Sequence, residues 1–153
     1  MLKNYPQGIS LVELLISIGI LGLIAAITIP QIRTSILNFT LSNAAKEIIT
    51  DLRYVQQRTV SEQNFYYAQF IEQENKYLLI KESTGEILKE KILPSEIIIS
   101  ISGNLTENEN KAKFNYFGAA IATGTITLVN TYANTILTIE IKPSGYVNYS
   151  SQF

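Results

Sequence analysis

Glu13 is the only charged residue between Ile9 and Ile29, a run of 21 residues dominated by Ile and Leu. A carboxylate in such a run has one main chemical use, pairing with a cation brought alongside it in a low-dielectric setting. It stands five residues after Gly8, which closes a short polar leader, Lys3-Asn4-Tyr5-Pro6-Gln7-Gly8. The other candidate acids are the pairs Glu72/Glu74, Glu86/Glu90 and Glu107/Glu109. General acid–base work would require burial or a like-charge neighbour to move one pKa of a pair. Each pair instead falls in a turn or on a polar strand face, where solvated charge is the plainer reading. Glu107-Asn108-Glu109-Asn110 offers oxygens to a hard cation, but the DxDxDG pattern of a calcium loop is absent. The chain has no Cys and no His. Disulfides, thiolate or imidazole metal sites and the usual nucleophile–base pairs are therefore excluded. No glycine-rich phosphate loop occurs. The expectation is a protein that is not an enzyme and holds no cofactor and no metal.

The element that must position Glu13 is a helix. At about 1.5 Å per residue the run from Ile9 to Ile29 is about 31 Å long, enough for a bilayer core of about 30 Å. A cleaved secretory signal would have a shorter apolar region and a small-x-small site, which Ala25-Ala26-Ile27 does not supply. A plain signal anchor fits the length, with Lys3 left in the cytoplasm, but has no use for Glu13. A soluble core helix would carry more polar residues. Pro30 either ends this segment or kinks a longer helix. The helical period resumes beyond it, with Leu37, Leu41, Ala44, Ile48, Leu52, Val55 and Thr59 at steps of three and four. Lys46, Glu47, Asp51, Arg53 and Arg58 fall largely off that stripe. The expected domains are a leader over 1–8, a transmembrane segment over 9–30, an amphipathic continuation over 31–61 and a β-rich head over 62–153.

The head reads as seven or eight short strands. They are Phe65–Ile71, Tyr77–Glu82, Ile87–Leu93, Glu96–Ser102, a short Phe114–Phe117, Thr125–Asn130, Thr135–Ile141 and Tyr146–Tyr149. In Ile87–Leu93 the pattern sets Ile87, Lys89 and Lys91 against Leu88, Glu90 and Ile92. Gly103 to Lys111 is the most loop-like stretch. The expected fold class is α+β, a long bent N-terminal helix with an antiparallel β-sheet module packed on its second half. Among 153 residues 46% are hydrophobic and the formal net charge is −1. Such a balance gives no electrostatic reason to expect nucleic acid or acidic lipid. The nine tyrosines suit strands and packing.

Gly8, Ile9, Glu13 and Pro30 together resemble the prepilin signal of type IV pilins and type II secretion pseudopilins. The resemblance implies cleavage by a prepilin peptidase between Gly8 and Ile9, with Ile9 as the methylated new terminus. Ile9 departs from the family's usual Phe, and Ser10 stands where Thr is more common. Glu13 falls at the fifth residue after the cut, as the family's glutamate does. The tail resembles the GspH/FimT-type minor pseudopilins, on Asp51 to Arg58, Phe117-Gly118, Ile126-Thr127-Leu128, Ile139-Glu140-Ile141 and Ser144-Gly145-Tyr146-Val147. Tyr146 stands where that family often has Arg.

Two functions compete. The first is a structural minor subunit, anchored by a single pass in the inner membrane with its C-terminal domain outside the cytoplasm. It would then join a pilus or pseudopilus filament, near the tip. Its implied partners are other pilin subunits, the peptidase, an inner-membrane assembly platform and, before assembly, membrane lipid. Glu13 would neutralise the new amine of a neighbouring subunit's Ile9 and so set register. The second is DNA capture by a competence pilus. That needs several basic residues at the exposed end, yet no arginine follows Arg58, and from Lys111 onward there are three lysines and Glu140. Nucleic acid is not expected as a partner.

Overall fold

The computed structural model describes residues 10–103, 105 and 110–152. The Gly8–Ile9 bond and the Glu107/Glu109 pair lie outside the described residues. One helix, α1 (Leu11–Glu62, 52 residues), continues through Pro30, so the reading in which Pro30 ends it is set aside. The chain divides into two compact units, the first through Ile36 and the second from Leu37 on.

In the second unit, α1 buries the stripe marked by its apolar spacing. Leu41, Ala45, Ile48, Leu52 and Val55 are at most 1% exposed. Eight strands follow: β1 (Tyr66–Ile71), β2 (Lys76–Lys81), β3 (Glu86–Ile92), β4 (Ile97–Gly103), β5 (Lys111–Lys113), β6 (Gly124–Asn130), β7 (Thr135–Ile141) and β8 (Val147–Gln152). They form two antiparallel four-stranded sheets, ordered β3-β2-β1-β5 and β4-β6-β7-β8. Buried residues of both sheets join the helix stripe in one hydrophobic cluster. The α+β expectation holds, with the module divided in two.

Three local expectations are corrected. The short strand expected over Phe114–Phe117 lies earlier, at β5, on the border of the loop-like stretch. Beyond it Phe114 makes only an isolated bridge to Ala120. The Asn115 side-chain oxygen accepts the N–H groups of Phe117 and Ala119, closing a turn where a strand would need those donors free. The alternation in β3 fails because a bulge at Leu79/Ile80 shifts the pairing, so that Leu79 faces Lys89 and Ile80 faces Ile87. Across such a bulge the two-residue period slips. Ile87 is 55% exposed, while Lys89 and Lys91 both reach Glu47. Finally, Asp51 does not lie on the solvated side of α1; it is 9% exposed.

The outer edge of β4 would be a template for foreign strands, and the turn between β1 and β2 covers it. A short 3-10 turn, Glu72–Glu74, ends at Asn75 in left-handed conformation. Asn75 Oδ1 accepts the Ile99 N–H at 3.1 Å, and Nδ2 donates to the Ile97 carbonyl at 2.6 Å. Glu72 Oε1 accepts the Ile101 N–H at 2.8 Å. Glu72 is thus a structural acceptor rather than a member of an acidic pair.

Candidate functional site

Within the first unit, Leu11–Ile29 is a 19-residue helical span with mean hydropathy 2.5 and no buried residue. Its side chains are unusually naked for a folded chain: Leu11 is 79% exposed, Leu23 70% and Ile27 68%. A surface of this kind suits lipid or the helices of other chains. The span's hydroxyls need no outside partner. Ser17 Oγ donates to the Glu13 carbonyl and Thr28 Oγ1 to the Ile24 carbonyl, each at 2.8 Å, the back-bonding that makes Ser and Thr tolerable in apolar helices. Glu13 sits in the first turn of the helix. A carboxylate there gains from the unpaired N–H groups of the first turn. Ile9 precedes the described residues by one position, so the Ile9–Glu13 relation is not one of the contacts described.

In the second unit, two fixtures hold the head on the helix. The first is electrostatic. Lys89 Nζ lies 2.7 Å from Asp51 Oδ2 and 3.0 Å from Glu47 Oε1, and Lys91 Nζ 2.8 Å from Glu47 Oε2. Tyr77, 1% exposed, donates its hydroxyl to Asp51 Oδ2 at 2.5 Å. The hydrogen bond from Lys91, joined by Lys89, holds the Glu47 carboxyl below its usual range against a modest burial cost. Burial acts to lower the Lys89 pKa, but the bonds to Asp51 and Glu47 outweigh it, and the net shift is upward. Burial, then the hydrogen bond to Asp51 and its charge, pushes the Tyr77 phenol well above its ordinary value. These groups are paired with one another across α1, β2 and β3; Asp51 and Lys89 line a shallow cleft of about 300 Å³, and Glu47 and Lys91 another of about 360 Å³.

The second fixture is Gln56. Its Nε2 donates to the carbonyls of Gly118 at 2.5 Å and Gly145 at 3.1 Å, clipping two surface turns to the helix. Both glycines have positive φ, +85° and +80°. A Cβ at Gly145 would stand 1.9 Å from the Gly118 oxygen, so only glycine lets these turns meet. The groove beside them, about 470 Å³, is lined by Arg53, Gln56 and Ser144 to Val147. Sequence spacing missed both fixtures; the signal for the second was the pair Phe117-Gly118 and Ser144-Gly145, each a glycine ending a turn sequence. Glu86 is exposed, and Glu74 and Glu90 both pair with Lys76, at 2.6 and 2.9 Å. No described acidic pair is therefore poised for proton transfer.

Comparison with known proteins bears on both units. Residues 3–29 match the family model of the prokaryotic N-terminal methylation motif. Among solved structures, the minor pseudopilin EpsH from the type 2 secretion system of Vibrio cholerae is similar in fold, with TM-score 0.62 and 7% identity over 72% of this chain and 96% of that one. The type IV minor pilin FimU of Pseudomonas aeruginosa is similar in two crystal forms, with TM-scores 0.58 and 0.57 and 14% identity. In both, 72% of this chain is covered, with 87% and 92% of the other. No curated protein matches the sequence.

Proposed function

We propose, for a chain that is pilin- or pseudopilin-like in its methylation motif and its α+β fold, that it is a minor structural subunit of a membrane-rooted filament. The carrying observation is a 19-residue apolar span without a buried residue, lying within the residues that match the methylation motif and bearing one carboxylate. In this reading a prepilin peptidase cuts between Gly8 and Ile9 and methylates the Ile9 amine. Leu11–Ile29 then holds the subunit in the inner membrane, with the head outside the cytoplasm and Pro30 bending the helix near the surface. On assembly the span exchanges lipid for the helices of other subunits. The Glu13 carboxylate of one subunit neutralises the Ile9 amine of the next, since either charge alone would be costly among apolar helices. The role is structural, and a place near the filament tip is the position we assign to it.

DNA capture is less well supported by the surface. Lys76, Lys89, Lys91 and Lys113 each lie within 3.0 Å of a carboxylate oxygen. The Arg58 guanidinium lies over the rings of Tyr54 and Tyr66 and pairs with Glu62. Internal pairing of this kind weakens the positive field that phosphate binding requires.

Processing is the direct test. In cells with a prepilin peptidase, mass spectrometry of the wild-type chain should find a mature species that begins at Ile9 and carries one added methyl group. Gly8→Leu should leave the full-length precursor in the membrane. A Gly8→Leu protein that is still cut at the same bond would refute the assignment. Glu13→Gln should be processed normally but be depleted from filaments.

A further inference from the structure

Among the described strands the two sheets have four outer edges, and three of them are guarded. The turn between β1 and β2 covers β4, and at β5 the Ile121 N–H donates to the Lys113 carbonyl at 2.9 Å. The β3 edge carries the bulge opposite Leu79/Ile80 and four charged residues in seven. The fourth edge, β8, has no charge, no proline and an unbroken register of six pairs with β7. It lacks the devices by which proteins keep an edge strand from pairing. Lys142 N–H donates to the Tyr146 carbonyl at 3.0 Å. This bond continues the β7–β8 ladder and assigns the even-numbered residues of β8 to bonds with β7. The N–H and C=O groups of Val147, Tyr149 and Ser151 accordingly face away from β7. Among the described residues, the contact made with this outer row is a bond from Arg53 to the Val147 carbonyl, at 3.5 Å.

Arg53 also marks what flanks the edge. Thr135, at the start of β7, donates its hydroxyl to Asn38 Oδ1 at 3.0 Å, and Arg53 reaches Val147, which pairs with Ile141 at the end of β7. So α1 and β7 run side by side in one direction, and β8 runs back between the same ends. Lys46 precedes Arg53 by two helical turns, about 10 Å, on the same side of α1. Both residues are exposed. Neither is ion-paired among the described residues, whereas Arg58, Lys76, Lys89, Lys91 and Lys113 all are. We infer that the β8 edge, flanked by Lys46 and Arg53, is a docking cleft for an extended acidic segment of another protein chain, which adds to the sheet as a fifth strand. The outward main-chain row selects an extended peptide, because only another backbone offers alternating N–H and C=O groups at that spacing. The two cations select carboxylates. Glutamates four apart on one face of a strand stand about 13 Å from each other, a separation that two long basic side chains can meet. The groove of about 470 Å³ at Arg53 and Val147 leaves room for one end of the strand. The cleft lies wholly within the second unit and does not depend on the membrane reading of Leu11–Ile29.

The probe is the peptide Thr-Glu-Val-Thr-Val-Glu-Thr, labelled with fluorescein at its N-terminus and added to the full chain in mild detergent. Fluorescence anisotropy measures its affinity, and hydrogen exchange followed by NMR reports on the Tyr149 amide. The peptide should bind and slow exchange at Tyr149. Replacing both glutamates of the peptide by Gln should weaken binding about tenfold. Peptides methylated at every second backbone nitrogen, made in both alternations, should lose binding in one alternation and keep it in the other. The double variant Lys46→Glu/Arg53→Glu should release the acidic peptide and bind Thr-Lys-Val-Thr-Val-Lys-Thr instead, a gain that a misfolded chain could not show. Equal affinity for the Glu and Gln peptides, or indifference to methylation in both alternations, would overturn the cleft. So would failure of the acidic peptide to bind while oligothymidylate or a second copy of the chain slows exchange at Tyr149, which would give the edge to that occupant.

Discussion

The Asp51–Tyr77 pair offers the sharpest energetic test of how the head is fixed to α1. Asp51→Ala removes the acceptor of a phenol that is 1% exposed and 2.5 Å away. A buried donor left without a partner costs about 1–3 kcal/mol. The same substitution removes the Lys89 contact at 2.7 Å; with the Lys89 side chain 36% exposed, solvent screening limits that loss to about 0–1 kcal/mol. The expected total is about 1–4 kcal/mol, the middle of which is a fall in Tm of roughly 10 °C for a unit of this size. Asp51→Asn keeps an acceptor for Tyr77 and should cost about 1 kcal/mol or less. Tyr77→Phe removes the donor and leaves Asp51 with Lys89, for a loss of about 1 kcal/mol. In the double variant Asp51→Ala/Tyr77→Phe no orphaned hydroxyl remains. It should therefore be more stable than the sum of the single losses, by about 1–2 kcal/mol. Thermal unfolding of the full chain in mild detergent, followed by near-ultraviolet circular dichroism of the tyrosines, measures all four. Additivity to within about 0.5 kcal/mol would refute the coupling. Equal losses for Asp51→Asn and Asp51→Ala would show that charge, not the hydrogen bond to Tyr77, carries the site.

Gly145→Ala should be far more damaging than Gly85→Ala. Both glycines have positive φ, but the new Cβ meets the Gly118 oxygen at 1.9 Å in one case and nothing within 4 Å in the other. Gly85→Ala should cost only about 1–2 kcal/mol of left-handed strain, and similar Tm losses for the two would disprove the close approach of the turns. Asn75→Ala strips both the donor and the acceptor that cover β4. It should lower Tm and also produce concentration-dependent association on size-exclusion chromatography, because an uncovered edge recruits strands. The pH dependence should be bounded on both sides. Tyr77 and Lys89 are raised from 10.0 and 10.5, so their contribution is complete below pH 10 and is lost as pH rises beyond it. Glu47 is lowered from 4.5, so its contribution is present above pH 4.5 and lost as pH falls below it. Tm against pH should be flat between, and Tyr77→Phe should soften the alkaline limb.

What the residues made legible and what they hid follow from range. The apolar stripe of α1 and the alternation in β6 and β7 are set by neighbours three, four or two residues away, so spacing reads them directly. The motif at Gly8 and Glu13 is likewise local. Asp51 was misplaced because its charge argued for solvent. Yet it lies three residues after Ile48 and four before Val55, both buried, so its position on the stripe was visible and only its partner was not. That partner, Tyr77, is 26 residues away. Glu72 and Asn75 lie in the turn between β1 and β2, but their side-chain acceptors also serve a strand more than twenty residues on. The division into two sheets and the bulge at Leu79/Ile80 depend on such distant pairings, which no local period encodes.

The two halves of α1 make opposite use of the same apolar chemistry. From Leu41 to Val55 the stripe is covered by strands of its own chain, and packing that leaves at most 7% of any of its residues exposed fixes one arrangement. From Leu11 to Ile29 no residue is buried among the described residues, and the Ile and Leu side chains are spread round the helix rather than along one stripe. A surface without a stripe has no preferred rotation against a partner, so hydrophobic burial alone could set neither the depth nor the register of a packed helix. In the proposed filament a single carboxylate, Glu13, would supply what the apolar surface lacks, a point at which only one alignment is electrostatically tolerable. Removing the charge of Glu13 should for that reason leave membrane insertion intact, or improve it, while loosening the register of assembly. A loss of insertion in Glu13→Gln would contradict this division of labour.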